Sequence, residues 1–173
     1  MNKLIKILVV NLILAIVFMA GCSRGILAKL PNTIKTLEFD NIKSARIELA
    51  RTGSSPIKKY SFDFNSPSQI KILKDVISQL NSAKFQGNAD EKVVNKGGSP
   101  TFLVLELKDG SIIQIKSAVE GKVTKLSDGS TEISQFDIPN EVTISINSNI
   151  ESFRVLSPEI KELIDSGYKD IFK

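Results

Sequence analysis

The side chains that most often carry out chemistry are scarce in this chain: one cysteine, Cys22, and no histidine among 173 residues. Without histidine there is no Ser-His or Cys-His nucleophile pair and no common zinc site. A serine nucleophile with a lysine base needs no histidine, and Ser-x-x-Lys spacing occurs at Ser55 with Lys58 and at Ser68 with Lys71. In a chain so rich in both residues, two such pairs are what chance gives. Ser68 and Lys71 also fall in the first turn of an expected helix. The carboxylates of Asp63, Glu106 and Asp109 are scattered, whereas glycoside hydrolysis needs two that flank one bond. There is no tryptophan, and Tyr60 and Tyr168 both fall on apolar faces, so no platform for stacking a sugar is apparent. Asp63-Phe64-Asn65 begins like a calcium loop but lacks the later glycine and distal glutamate. Gly97-Gly98 lacks the Lys-Ser/Thr that completes a phosphate loop. The residues imply no catalytic centre, no metal and no cofactor.

Cys22 has a context of its own. Lys3 and Lys6 precede a mostly apolar run at 7–19, interrupted by Asn11, and Ala20-Gly21-Cys22 follow directly. Crossing a bilayer core takes about 20 apolar residues, whereas the apolar region of a signal peptide needs about 7–15. Residues 1–22 resemble a bacterial lipoprotein signal peptide, with Met19 where that family usually carries leucine. The resemblance implies a diacylglyceryl group on the Cys22 thiol, cleavage before Cys22, and residence on the extracytoplasmic face of a membrane. Two acyl chains hold a protein on a bilayer stably where one does so only marginally. With its single thiol acylated, the chain forms no intrachain disulfide, and the fold must rest on packing.

Removing residues 1–21 leaves about one domain's worth of chain, enough to bury a core unaided. The formal charge of +4 falls to +2, because Lys3 and Lys6 leave with the signal and 21 basic groups then face 19 acidic ones. The two signs are interspersed, with no basic block of the kind that binds phosphate backbones, so nucleic acid is not an expected partner. Residues 22–33 read as the lipidated N-terminus and a short tether, and 34–173 as a single domain.

Within that domain, apolar residues alternate in Ile42–Leu49 and again at 59–64, where Tyr60, Phe62 and Phe64 share a face. Ser66, Pro67 and Gln69 have the spacing of a capping box with proline at the first helical position. The helix that follows carries Ile70, Leu73, Val76, Ile77 and Leu80 as one stripe and should end near Ala83. The best hairpin joins 102–108 to 111–117. A two-residue Asp109-Gly110 loop would mix its faces. A three-residue loop, Lys108-Asp109-Gly110, pairs Leu105 with Ile113 and Leu103 with Ile115, so this register is expected, with Gly110 supplying a positive φ. Phe102, Val104 and Ile112 then crowd the opposite face. Asp128-Gly129 joins weaker strands at 122–126 and 131–136. Val142, Ile144 and Ile146 mark a further strand, and Phe153 and Val155 a short one. Ser157-Pro158 opens a last helix bearing Ile160, Leu163, Ile164, Tyr168 and Ile171. The expected fold is α+β, a mainly antiparallel sheet with two amphipathic helices packed on it.

Residues 87–100 lack an apolar period and hold three of the ten glycines. Loops of about 12–15 residues without structure of their own are uncommon and often functional. Asp90, Glu91, Lys92, Asn95 and Lys96 are the candidate contact residues of this segment. The expectation is a non-catalytic lipoprotein held to membrane lipid through acylated Cys22 and binding a protein or cell-envelope partner. The alternatives are a small-ligand receptor serving a transporter or sensor and, less favoured, a carboxylate-dependent hydrolase.

Overall fold

In the computed structural model, residues 31–49, 57–89, 101–147 and 152–173 are described. Among these residues seven strands form one sheet: β1 (Ile42–Leu49), β2 (Lys58–Ser61), β3 (Lys84–Asn88), β4 (Thr101–Leu107), β5 (Ile112–Lys125), β6 (Thr131–Ile146) and β7 (Ser152–Leu156). Their order is β2-β1-β4-β5-β6-β7-β3, and every neighbouring pair is antiparallel. The helices are α1 (Asn32–Lys35), α2 (Pro67–Ser82), α3 (Pro158–Glu162) and α4 (Tyr168–Ile171), with a π-helical segment, Leu163–Gly167, joining the last two. The α+β class with helices on an antiparallel sheet is therefore the observed one.

Alternation along the strands decides which face meets the helices. Tyr60, Ile47, Leu103, Ile115, Ile144 and Phe153 lie in one cross-strand row, while Ala45, Leu105, Ile113 and Ile146 form the next. Against these rows pack Leu73, Val76, Ile77 and Leu80 of α2, and Ile160, Ile164 and Tyr168 of the C-terminal helix. Because β2 and β3 lie at opposite edges of the sheet, α2, which follows one and precedes the other, must cross the whole helix-bearing face. Rings of Tyr60, Phe62, Tyr168 and Phe172, with centroids 5.1–5.8 Å apart, fasten the C-terminal helix over the β2 edge.

The register argued for the first hairpin is the one present: Leu103 faces Ile115 and Leu105 faces Ile113. Gly110, at φ 88°, donates its N–H to the Leu107 carbonyl at 3.1 Å. The Asp109 carboxylate accepts from the Ser111 N–H at 2.8 Å. Asp128 and Gly129 repeat this chemistry one strand later, with Gly129 at φ 83°.

Five expectations are corrected. The strands expected separately at 111–117 and 122–126 are one continuous β5, and those at 131–136 and around Ile144 are one continuous β6. Alternation weakens at Ala118, Gly121 and Pro139, but backbone pairing continues on both sides of an irregularity. Second, the expected strand at 59–64 ends at Ser61 and gives way to a turn, although the Phe62 N–H still bonds the Ala45 carbonyl at 2.9 Å. Third, β3 takes the first two residues of the segment expected as loop. Phe85 is its one large apolar group, so its pairing with β7, rather than its own pattern, makes it a strand. Fourth, the capping box does not close. Gln69 Oε1 accepts from the Asp63 N–H at 2.7 Å, and Ser66 Oγ lies 3.0 Å from Ser68 Oγ. At the last helix, Ser157 Oγ donates to Gln79 Oε1 of α2 at 2.9 Å, which ties one helix to the other.

A helical turn, α1, also begins within the residues expected as tether, and its Ile34 is completely buried in the core. Truncating a central core residue should be costly while truncating a residue far from the helices should not. Leu103→Ala is expected to cost about 2–5 kcal/mol in urea unfolding, whereas Val123→Ala should stay within about 0.5 kcal/mol.

Candidate functional site

β5 and β6 are longer than the sheet that contains them. β4 pairs with β5 from Ile112 to Ile115, and β7 pairs with β6 from Glu141 to Ser145. From Val119 to Lys125, facing Asp137 to Thr131, the two strands pair only with each other among the described residues. Six steps of about 3.4 Å carry this ribbon some 20 Å past its last neighbours. Of the five strongly exposed large apolar side chains among the described residues, Val123 and Phe136 are on it and Leu126 is in its turn, at 61%, 54% and 43% exposure. A concentration of this kind marks an interaction surface more often than scattered exposed apolar residues do.

The ribbon leaves the sheet through an irregular joint. One residue of β5, Ala118, stands opposite four of β6, 138–141, between the Ser117–Val142 and Val119–Asp137 pairs. Pro139 sits in this stretch, where no ladder donor is needed. Asn140 takes φ 62° and accepts the Ser157 N–H on its carbonyl at 2.8 Å.

Beside the joint lies a cluster of Ser, Lys and Asp side chains that the sequence spacing did not bring together. Lys161 of α3 is nearly buried, and its Nζ lies 2.7 Å from Asp137 Oδ1 and 3.2 Å from Asp165 Oδ2. Ser117 Oγ donates to Asp165 Oδ1. The composition is that of a Ser-Lys hydrolase, but the protonation is wrong for one. Burial disfavours the charged ammonium, yet the hydrogen bonds it donates to Asp137 and Asp165 outweigh it and hold the lysine above its ordinary value. A lysine kept protonated cannot take a proton from serine. The cluster is an ionic clamp. Its signal was i,i+4 spacing of Lys161 and Asp165 on a helix start; Asp137 and Ser117 join them only through the sheet.

The sheet face away from the helices is closed by charge pairs. Lys43 and Ser44 contact Glu106 at 2.5 and 3.2 Å. Arg46 and Lys59 contact Glu48 at 2.6 and 3.3 Å. Val104 is fully buried on this face between Arg46 and Gln114 in the cross-strand register, and Phe102 and Ile112 are half-buried, as the crowding in the sequence implied. Lys116 Nζ lies 5.8 Å from the Phe102 ring centroid, and burial pushes its pKa down. Nearer the joint, Arg154 Nη1 and Glu141 Oε2 stand 3.7 Å apart; Arg154 Nε and Glu141 Oε2 are buried atoms with no hydrogen-bond partner among the described residues. A hollow of about 160 Å³ beside them is lined by Asn88, Val119, Glu120, Gly121 and Arg154.

The candidate chemistry of the sequence does not converge. Glu106 is engaged by Lys43 and Ser44, Asp109 by its own turn, and Asp63 by the Asn65 N–H at 2.8 Å. Ser68 bonds Ser66, and the Lys58 ammonium lies 4.9 Å from the Tyr60 ring centroid. No group of three or more Asp, Glu, Cys or His side chains that could hold a metal occurs among the described residues. Cys22, Ser55 and the contact candidates Asp90, Glu91, Lys92, Asn95 and Lys96 lie outside the described residues. Residues 90–100 connect Ala89, at the β3 edge, to Thr101 of β4, four places inward in the sheet.

Glu48 supplies a pH test of the charged face. Burial would raise its pKa, but the bonds from Arg46 and Lys59 outweigh burial and hold it below the ordinary value. A lowered carboxylate contributes stability that is present above the unfolded value of about 4.3 and lost as pH falls below it. Glu48→Gln should therefore cost about 0.5–1 kcal/mol at pH 7, and the difference from the parent should vanish as unfolding is measured at progressively lower pH. Comparison with family models, with curated proteins and with solved structures finds no match to this chain, so the geometry above carries the functional reading.

Proposed function

We propose that the protein is a non-catalytic lipoprotein, anchored through acylated Cys22 on the extracytoplasmic face of a membrane, that presents the β5–β6 ribbon to a protein partner. The observation that carries this reading is the opposite placement of the two ends. α1 packs beside the β4–β5 turn, where Thr33, Thr36, Leu37, Asn41, Leu107, Lys108 and Asp109 line one depression and the Lys108 N–H bonds the Asn41 carbonyl at 2.8 Å. From that end β5 runs 13 steps to Lys125, about 44 Å at 3.4 Å each. Nine residues from Cys22 to Pro31 reach at most roughly 30 Å. A chain fastened to lipid by Cys22 thus keeps its α1 end within about 30 Å of the bilayer, and the orientation proposed is the one in which the ribbon points away from it.

The ribbon is suited to contact rather than to chemistry. It offers apolar side chains on both faces and two strand edges without a described neighbour, the features that strand-adding partners use. A small-ligand receptor would need a cavity between helices and sheet, and that space is filled by Leu73, Leu80, Ile160, Ile164, Leu103 and Leu105, each no more than 1% exposed. The 470 Å³ depression at the α1 end is the place where that second reading would have to be sought.

In-cell photocrosslinking tests the proposal. A photoreactive side chain at Val123 or at Phe136 is expected to capture one dominant protein, and the same group at Lys108 is not. Capture of the same protein from Lys108 alone, or no adduct from either ribbon position, would sink the ribbon as the contact surface.

A further inference from the structure

A two-stranded ribbon that leaves its sheet has no core face to hold its direction, and isolated hairpins are marginal in water. The elements at its root nevertheless meet side chains from three separate parts of the fold. Asp137 is the last ribbon residue of β6 before the irregular stretch, and Ser117 is the last sheet residue of β5 before it. Lys161 and Asp165 come from the C-terminal helix, one turn apart. The π-helical segment Leu163–Gly167 contains Asp165, and such segments inside helices recur at functional positions. We infer that the Ser117–Asp165–Lys161–Asp137 clamp is a joint that sets the direction of the ribbon relative to the domain, with Lys161 as its positioning residue.

Three observations support a joint rather than an incidental surface pair. Lys161 is only 9% exposed, so its ammonium has been drawn out of water to reach carboxylates that are themselves half-exposed, Asp137 at 61% and Asp165 at 47%. Burying a lysine is unfavourable unless it is paired, and here one ammonium serves two carboxylates from different elements. The backbone beside it is the least regular of the sheet, with four residues of β6 opposite one of β5 and Asn140 at φ 62°. The ladder is interrupted where the ionic contacts begin, so those contacts supply the constraint that the ladder does not. The inference concerns the ribbon's direction and does not depend on what the ribbon binds.

Hydrogen exchange of the whole chain, read by peptide, tests this. In Lys161→Met, exchange across 119–137 should rise about threefold to tenfold, while the core peptides 103–107 and 142–146 keep the parent rates. Lys161→Arg, which can still reach both carboxylates, should restore much of the protection. Unchanged ribbon exchange in Lys161→Met would overturn the joint. If Lys161→Met instead speeds exchange everywhere, the half-exposed Asp137→Asn decides. Faster exchange confined to 119–137 in that variant upholds the clamp, and parent-like exchange there overturns it.

Discussion

One strand pair serves two ends of the molecule. β5 and β6 form the middle of the sheet where Ile113, Ile115, Val142 and Ile144 fill the core, and then continue as a ribbon with Val123 and Phe136 in solvent. Everything else is arranged around that shared ladder. β4 and β7 flank its first half, α2 crosses above it between the two edge strands, and the C-terminal helix lies where the flanking strands stop. The irregular stretch at 138–141 divides the ladder into a half flanked by β4 and β7 and a half whose two strands pair only with each other among the described residues.

This division explains where the protein places its polar side chains. On the outer face, which no described helix covers, Lys43 with Glu106 and Lys59 with Glu48 bridge adjacent strands, while Arg46 reaches Glu48 along β1 itself. Each neutralises charge locally and leaves no carboxylate pair poised over a common point. The clamp at Lys161 differs because it joins elements that are not neighbours in the ladder. With a single cysteine, covalent stapling within the chain is unavailable, and buried apolar rows with ionic ties at their ends take that role.

Much of the fold was legible because local pattern and tertiary demand coincided. β1 was bounded correctly from the alternation of Ala45, Ile47 and Leu49, and the β4–β5 register followed from keeping Leu103, Leu105, Ile113 and Ile115 on one face. The stripe from Leu73 to Leu80 located α2 and its buried side. What could not be read depended on partners distant in the chain. β3 is a strand because β7 lies beside it, and its sequence of Lys84-Phe85-Gln86-Gly87-Asn88 has too few apolar positions to announce one. Ser157 looked like a helix cap and instead binds Gln79, 78 residues earlier. The ribbon was visible only as a weak second hairpin, because a strand without a core face has no alternation to display. The clamp was hidden for the same reason: Ser117, Asp137 and Lys161 meet through the fold, not through spacing. The contact candidates at 90–96 rest on a lack of pattern and lie outside the described residues.

The central claim is that the chain has a membrane end and a contact end, separated by the length of β5. Energy transfer from a dye in the bilayer surface to a single label on the membrane-bound protein measures this directly, since under the proposal the Cys22 thiol carries the lipid and takes no label. Lys108→Cys labels the α1 end and Ser127→Cys labels the ribbon turn. The account predicts strong transfer to position 108 and weak transfer to position 127. Equal transfer, or stronger transfer to 127, would mean that the ribbon lies against the membrane and would contradict it.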